Sequence, residues 1–153
     1  MKQIVVNHEL CTNCKLCELA CSFRKEGVFN PVKSRIRINV FAEDFRHIPL
    51  TCFQCADAPC ANVCPAVALI KEEGRVRFVE ENCIGCKMCM LACPFGVISY
   101  DAHKGKIFKC DTCDGDPECV RFCPTGALEY KESELASVAR QRDFAKKVAE
   151  TSE

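Results

Sequence analysis

Sixteen cysteines in a chain of 153 residues fall into four groups of four, with none left over. Group one is Cys11, Cys14, Cys17 and Cys21, spaced C-x2-C-x2-C-x3-C. Group two is Cys52, Cys55, Cys60 and Cys64, spaced C-x2-C-x4-C-x3-C and followed by Pro65. Group three, Cys83, Cys86, Cys89 and Cys93, repeats the first spacing and is followed by Pro94. Group four is Cys110, Cys113, Cys119 and Cys123, spaced C-x2-C-x5-C-x3-C and followed by Pro124. Few folds accommodate so many thiols at such regular spacing.

A C-x2-C-x2-C loop curls so that three thiolates converge on one face of a cubic cluster, where backbone N–H groups offset their charge. The fourth cysteine, four positions later, is expected to start a helical turn and to point away, towards a neighbouring cluster. Proline after it fixes φ and needs no N–H partner. Groups of this kind work in pairs, so four groups predict two pairs and four [4Fe–4S] clusters. Zinc sites use two separated C-x2-C pairs, not four runs of four. A disulfide framework belongs to secreted chains, and residues 1–9 do not read as a signal peptide. A reducing, cytoplasmic setting is therefore expected, in which dense cysteine means metal.

Charge excludes other classes. Lys+Arg and Asp+Glu are 21 each, so no basic excess supports a nucleic-acid surface. No apolar run approaches a membrane span. The 48% hydrophobic fraction counts cysteine, so the supply of true core is modest for one or two small domains. Each oxidised cube with its thiolates carries about −2, which puts the loaded chain near −8 and assigns the basic residues to balancing clusters. His8, His47 and His103 are too isolated to form a ligand set, and no glycine-rich phosphate loop is present. The chain is thus expected to be non-catalytic.

Between the groups the chain reads as short strands. Ile4–Val6 runs towards Cys11. Residues 66–70 and 75–79 read as a hairpin turning at 71–74, and 97–100 with 106–109 read as another. Residues 127–130 start like a further strand. Residues 35–41 alternate, with Arg35 and Arg37 on a polar face. Phe23, Phe29, Phe41 and Phe45 are expected in ordinary core, the other reading being a cover for a cluster or partner. Lys15 and Lys87 hold equivalent places and are expected to be solvated, or else to favour reduction. Leu16, Phe53, Ile84 and Met88 are expected to limit solvent access to clusters.

Groups two and three with the hairpin between them form one compact two-cluster unit, so groups one and four must pair across the outside. The expected fold class is α+β, with two nested bacterial-ferredoxin-like modules of short hairpins and short helices. The outer module is 1–21 with 94–130, the connecting insertion 22–51 and the inner module 52–93. A C-terminal helix or tail covers 131–153; Ser133 can cap it, and it either docks on its own domain, frays, or binds a partner.

The four runs, their lengthened middle loops and the segment Gly27-Val28-Phe29-Asn30-Pro31 through Ser34-Arg35-Ile36-Arg37 resemble a known family. It comprises the four-cluster ferredoxin-like electron-transfer subunits of molybdenum and tungsten oxidoreductases. Among them are the iron–sulfur subunits of dimethyl sulfoxide reductase and formate dehydrogenase. Small relatives accompany carbon monoxide dehydrogenase, hydrogenase, tungsten aldehyde oxidoreductase and tungsten benzoyl-CoA reductase. The resemblance covers roughly 1–130, and it implies the ligands. Cluster a is held by Cys11, Cys14, Cys17 and Cys123, and cluster b by Cys110, Cys113, Cys119 and Cys21. Cluster c is held by Cys52, Cys55, Cys60 and Cys93, and cluster d by Cys83, Cys86, Cys89 and Cys64. Two departures are a short loop between Cys113 and Cys119, and Ser22 in place of a proline after Cys21.

The function implied is an anaerobic electron-transfer subunit. It passes single electrons between a large catalytic subunit, aldehyde oxidoreductase-like or related, and a flavin subunit or ferredoxin. The alternatives are a free polyferredoxin serving several enzymes, and a sensing or catalytic protein with a labile cluster. The full ligand set argues against the last.

Overall fold

The positions just before the second cysteine of each group set the geometry of everything around them. The structure, a computed structural model, describes residues 2–43 and 45–132. In it Asn13, Gln54, Gly85 and Thr112 all have positive φ, at 57°, 50°, 70° and 59°. Left-handed backbone at this one position folds each C-x-x-C back on itself, at a cost of about 1–2 kcal/mol for a residue with a Cβ. Lys15 and Lys87, both at φ 63°, add a second left-handed residue before the helices that carry Cys17 and Cys89.

Those helices are α1 (Leu16–Glu26), α2 (Pro59–Asn62), α3 (Met88–Ala92) and α4 (Glu118–Arg121). Each begins just before a third cysteine, and the fourth cysteine lies midway along α1 or just past the end of α2, α3 and α4. This corrects the expectation that the fourth cysteine starts the helical turn. In groups two, three and four the Cys-Pro step bars continuation, because the residue before proline avoids helical backbone. Ser22 removes that bar, and α1 runs on to Glu26. The fully buried Ser22 hydroxyl donates to the Leu19 carbonyl at 3.0 Å and accepts the Asn30 N–H at 3.1 Å, so it ties the long helix to the chain that follows.

Eight strands pair in four antiparallel couples. β1 (Lys2–Val6) pairs with β8 (Leu128–Glu132), so the two flanks of the chain meet in one sheet. β2 (Arg37–Phe41) pairs with β3 (Arg46–Leu50). β4 (Leu69–Glu72) pairs with β5 (Arg75–Phe78), and β6 (Ser99–Asp101) with β7 (Lys106–Phe108). Three details differ from expectation. The β4–β5 turn is only Glu73-Gly74, both at positive φ as a tight two-residue hairpin requires, and Lys71 and Glu72 are strand. β3 is an additional strand. Lys131 and Glu132 continue β8; the expected tail helix lies outside the described residues, from 133 on.

Two apolar clusters form the interior. Ile4, Ile36, Ile38 and Leu128 pack with Cys17, Cys21, Cys52, Cys110 and Cys119, and α1 packs on α4. Leu69, Val76, Ile98 and Ile107 pack with Cys60 and Cys89, and α2 packs on α3. Phe23, Phe29, Phe41 and Phe45 are not core: all four are exposed, and Phe23 stacks on Phe29 at 4.7 Å. The cysteine sets take the interior places that aromatic rings would fill.

Several half-buried or exposed bases pair with carboxylates rather than facing thiols. Arg35 is not on an open polar face; it donates to Glu26 at 2.5 Å and lies over the Phe108 ring. Lys104 reaches the same Glu26 at 2.8 Å, and Lys25 reaches Asp111 at 2.7 Å. The Lys33 ammonium beside Asp101 holds that carboxyl down at about 2. Glu18, buried, accepts the Ile38 N–H at 2.6 Å and so fixes β2 to α1.

Ile36→Ala should cost about 2–4 kcal/mol in anaerobic denaturant unfolding, whereas Phe45→Ala, at 86% exposure, should stay within about 0.5 kcal/mol. A Cβ on Gly85 would sit 2.3 Å from the Gly105 carbonyl oxygen, on top of the strain of φ 70°. Gly85→Ala should therefore lower the melting temperature well beyond Gly96→Ala, whose site is open and whose cost is the strain alone, about 1 kcal/mol.

Candidate metal centres

The left-handed loops, the helix starts and the sheet that joins the chain's ends bring the sixteen cysteines into sets that mix sequence groups. Cys11, Cys14, Cys17 and Cys123 line one recess, beneath Ile38 and Leu128. Cys21, Cys110, Cys113 and Cys119 line a second, beside Ile4 and Ile36. Cys64, Cys83, Cys86 and Cys89 line a third, beside Leu69 and Ile84. The remaining four also meet: Cys55 and Cys60 each sense the charges of Cys52 and Cys93. Among the described residues no three His, Cys, Asp or Glu side chains close on a single ion. Zinc would need its sulfurs about 2.3 Å from one point; here they surround a volume.

The sets stand in sequence. Cys119 senses Cys17 of the first set, Cys110 senses Cys52, and Cys89 senses Cys60. The order is therefore the Cys11 set, the Cys21 set, the Cys52 set, then the Cys64 set. Cys14 and Cys86, at opposite ends of that order, are exposed; in the middle sets Cys21, Cys52, Cys60, Cys110 and Cys119 are buried and Cys55, Cys93 and Cys113 half-buried.

The donor chemistry fits iron–sulfur cubes. Burial pushes the thiols of Cys17 and Cys110 up to about 12 and that of Cys89 to about 11, so without iron these sulfurs keep their protons. Thiolate ligation must release them. Main-chain N–H groups stand ready for the charge that follows: Arg35 N–H lies 3.3 Å from Cys21 Sγ, Ala68 N–H 3.3 Å from Cys64 Sγ, and Thr112 N–H 3.3 Å from Cys110 Sγ. At Cys123 burial opposes ionisation, yet the N–H groups of Leu128, Ala127 and Thr125 with the Thr125 hydroxyl outweigh it and lower the thiol.

The other candidates fall into place around the cysteines. Lys15 bonds Glu18 at 3.4 Å and the Ile38 carbonyl at 3.3 Å, and Lys87 lies 4.0 Å from the Tyr100 ring centre, so neither is simply solvated. Leu16, Ile84 and Met88 are themselves exposed, while Phe53 packs on Phe95 at 4.5 Å. The His103 N–H donates to Asp101 in a turn, and His8 lies in the 3-10 turn before Cys11. Sequence reasoning missed Gln54 and Lys109, both buried between cysteine sets. The one signal was position, since each adjoins a cysteine of the four groups.

No helix among the described residues is long and apolar enough to cross a membrane. A 4Fe-4S dicluster domain model matches residues 44–133, and a 4Fe-4S binding domain model matches 8–24. The chain is 43% identical over 122 residues to the polyferredoxin-like subunit of the aliphatic sulfonate oxidoreductase of Pyrococcus furiosus, covering 78% of this chain and 70% of that one. It is 37% identical over 166 residues to the "probable anaerobic dimethyl sulfoxide reductase chain YnfG" of Escherichia coli K12, covering 88% and 78%. Among solved structures it resembles a chain of the active site complex BamBC of benzoyl coenzyme A reductase. There the identity is 26% and the TM-score 0.50, over 86% of this chain and 75% of that one. The chain is thus a [4Fe–4S] cluster-binding protein of the 4Fe-4S dicluster ferredoxin family, akin to the polyferredoxin-like subunits of oxidoreductases.

Proposed function

We propose that this chain is the electron-transfer subunit of an oxidoreductase and holds four [4Fe–4S] clusters in one line. The carrying observation is the order of the cysteine sets, each next to the following one, with the two fully exposed cysteines, Cys14 and Cys86, in the end sets. Cluster a is assigned to Cys11, Cys14, Cys17 and Cys123, and cluster b to Cys21, Cys110, Cys113 and Cys119. Cluster c is assigned to Cys52, Cys55, Cys60 and Cys93, and cluster d to Cys64, Cys83, Cys86 and Cys89. In each set, three cysteines come from one group and the fourth from the group's partner. The β1–β8 pairing and the α1–α4 packing support an outer module made from 1–21 and 94–130; the α2–α3 packing supports an inner module at 52–93.

When bound, a cube held by four thiolates exchanges one electron at a time and leaves no iron open to substrate. The chain's residues supply the rest. They curl the loops, donate N–H groups to sulfur and bury most of the middle cysteines. Exposed apolar side chains sit beside each open end: Leu10 and Leu16 near Cys14, and Ile84, Met88 and Leu91 near Cys86. These suit two docking faces, one for a large catalytic subunit of the tungsten or molybdenum type and one for a flavin subunit or ferredoxin. The names of the relatives support such a catalytic partner, and thiolate-held iron suits the cytoplasm.

Anaerobic analysis should give about sixteen Fe per chain, and a value near eight would sink the four-cluster reading. Cys93→Ser should alter the EPR signal of the cluster held by Cys52, Cys55 and Cys60. Damage confined to the Cys83 cluster would refute the crossed ligation. Purified anaerobically from its own cell, the chain should bring a large cofactor-bearing subunit with it; a chain that elutes alone is instead a free carrier.

A further inference from the structure

The middle of the line holds a buried cation that the ligand set does not explain. Lys109 follows β7 and is 4% exposed. Its ammonium donates to the Val76 carbonyl at 2.5 Å and to the Cys110 carbonyl at 2.6 Å. Gln54, with no exposed surface, spans the same two residues: its Nε2 donates to the Cys110 carbonyl at 2.9 Å and its Oε1 accepts the Val76 N–H at 2.9 Å. Two side chains thus clamp the inner hairpin to the loop of group four.

Gln54 could do this structural task without a charge beside it. An ammonium in an interior is costly unless an anion balances it. Among the described residues no carboxylate pairs with Lys109; its partners are two carbonyl dipoles. The anions in reach are sulfurs. Lys109 shares the Cys110 carbonyl with the amide of Gln54, which stands in the chain between Cys52 and Cys55 of one set, while Cys110 belongs to the next. It therefore sits between the two middle sets and counters both. The half-buried bases Arg35 and Lys33 have carboxylate partners and no such role.

We propose that Lys109 is the shared counter-charge of the two middle clusters, raising their reduction potentials above those they would have without it. The inference rests on the four-cluster reading. A fixed positive charge in a low-dielectric interior stabilises the more negative, reduced form of any centre beside it. Electrons arriving at either exposed end then meet a middle pair that accepts them readily.

The test is an EPR-monitored redox titration of the whole chain, each centre taking one electron from the chemical titrant. Lys109→Gln keeps donors for the two carbonyls and removes the charge; Lys109→Met removes both; Lys109→Arg keeps the charge. With sixteen Fe retained, the two neutral variants should each shift two of the four centres about tenfold in reduction equilibrium, or about 59 mV downwards. Lys109→Arg should leave all four near wild type. Full iron with unmoved potentials in the neutral variants overturns the role of Lys109 alone. Loss of iron from both neutral variants makes Lys109 an assembly residue and overturns it too. A wild-type chain near eight Fe instead overturns the four-cluster reading itself.

Discussion

Sulfur convergence is the constraint on which the rest of the molecule depends. Four thiols brought together from two distant segments need a loop that reverses within three residues. Left-handed backbone before each second cysteine supplies the reversal. Only Asn13 and Gly85 are residue types that adopt it readily. Gln54 and Thr112 adopt it while fully buried, held by their surroundings. Gln54 is held at both ends of its amide, and Thr112 is the residue whose N–H serves Cys110 Sγ. Strain in the loops is thus offset by bonds that themselves define the cysteine sets.

The same constraint explains why the interior looks poor. The apolar clusters contain a few aliphatic residues and a large share of cysteine, while several phenylalanines lie outside. A chain of this size would ordinarily fold its aromatics inward to gain buried area. Here the central volume belongs to sulfur-lined cavities, so rings such as Phe29 and Phe45 are displaced to the surface.

Much of this was legible in the sequence. Cysteine spacing gave the grouping, and alternation in residues 35–41 located β2; the Cys-Pro steps, expected to open a helical turn, are where three helices stop. What was not legible turned on partners far away in sequence. Arg46–Leu50 contains a proline and two basic side chains, so it reads as a link; it is a strand because Arg37–Leu50 pairing covers one edge of β2. Arg35 alternates as a surface residue, but Glu26 and Phe108, brought in by α1 and β7, bury it. Lys109 stands between Phe108 and Cys110 with nothing local to show that its ammonium points inwards. Composition likewise suggested that basic residues balance the clusters, whereas the paired bases mostly meet carboxylates.

This division of charge has a consequence for the proposed line of anionic centres. Near the surface, water screens each added electron, and a base paired to a carboxylate contributes no net field. At the junction of Cys52 and Cys110 water is excluded, and an apolar filling would leave the negative charge of two cubes, about −2 each, without relief. The chain places polar groups there instead: two main-chain carbonyls, one N–H, one amide and one ammonium. They close the seam between the inner and outer segments and keep the two middle sulfur sets at a fixed separation. A purely apolar seam would hold the segments as well but would oppose electrons in the middle of the path. A purely ionic one would hold them through carboxylates that add to the negative charge. An ammonium on carbonyl oxygens joins the segments and favours the electron with the same contact.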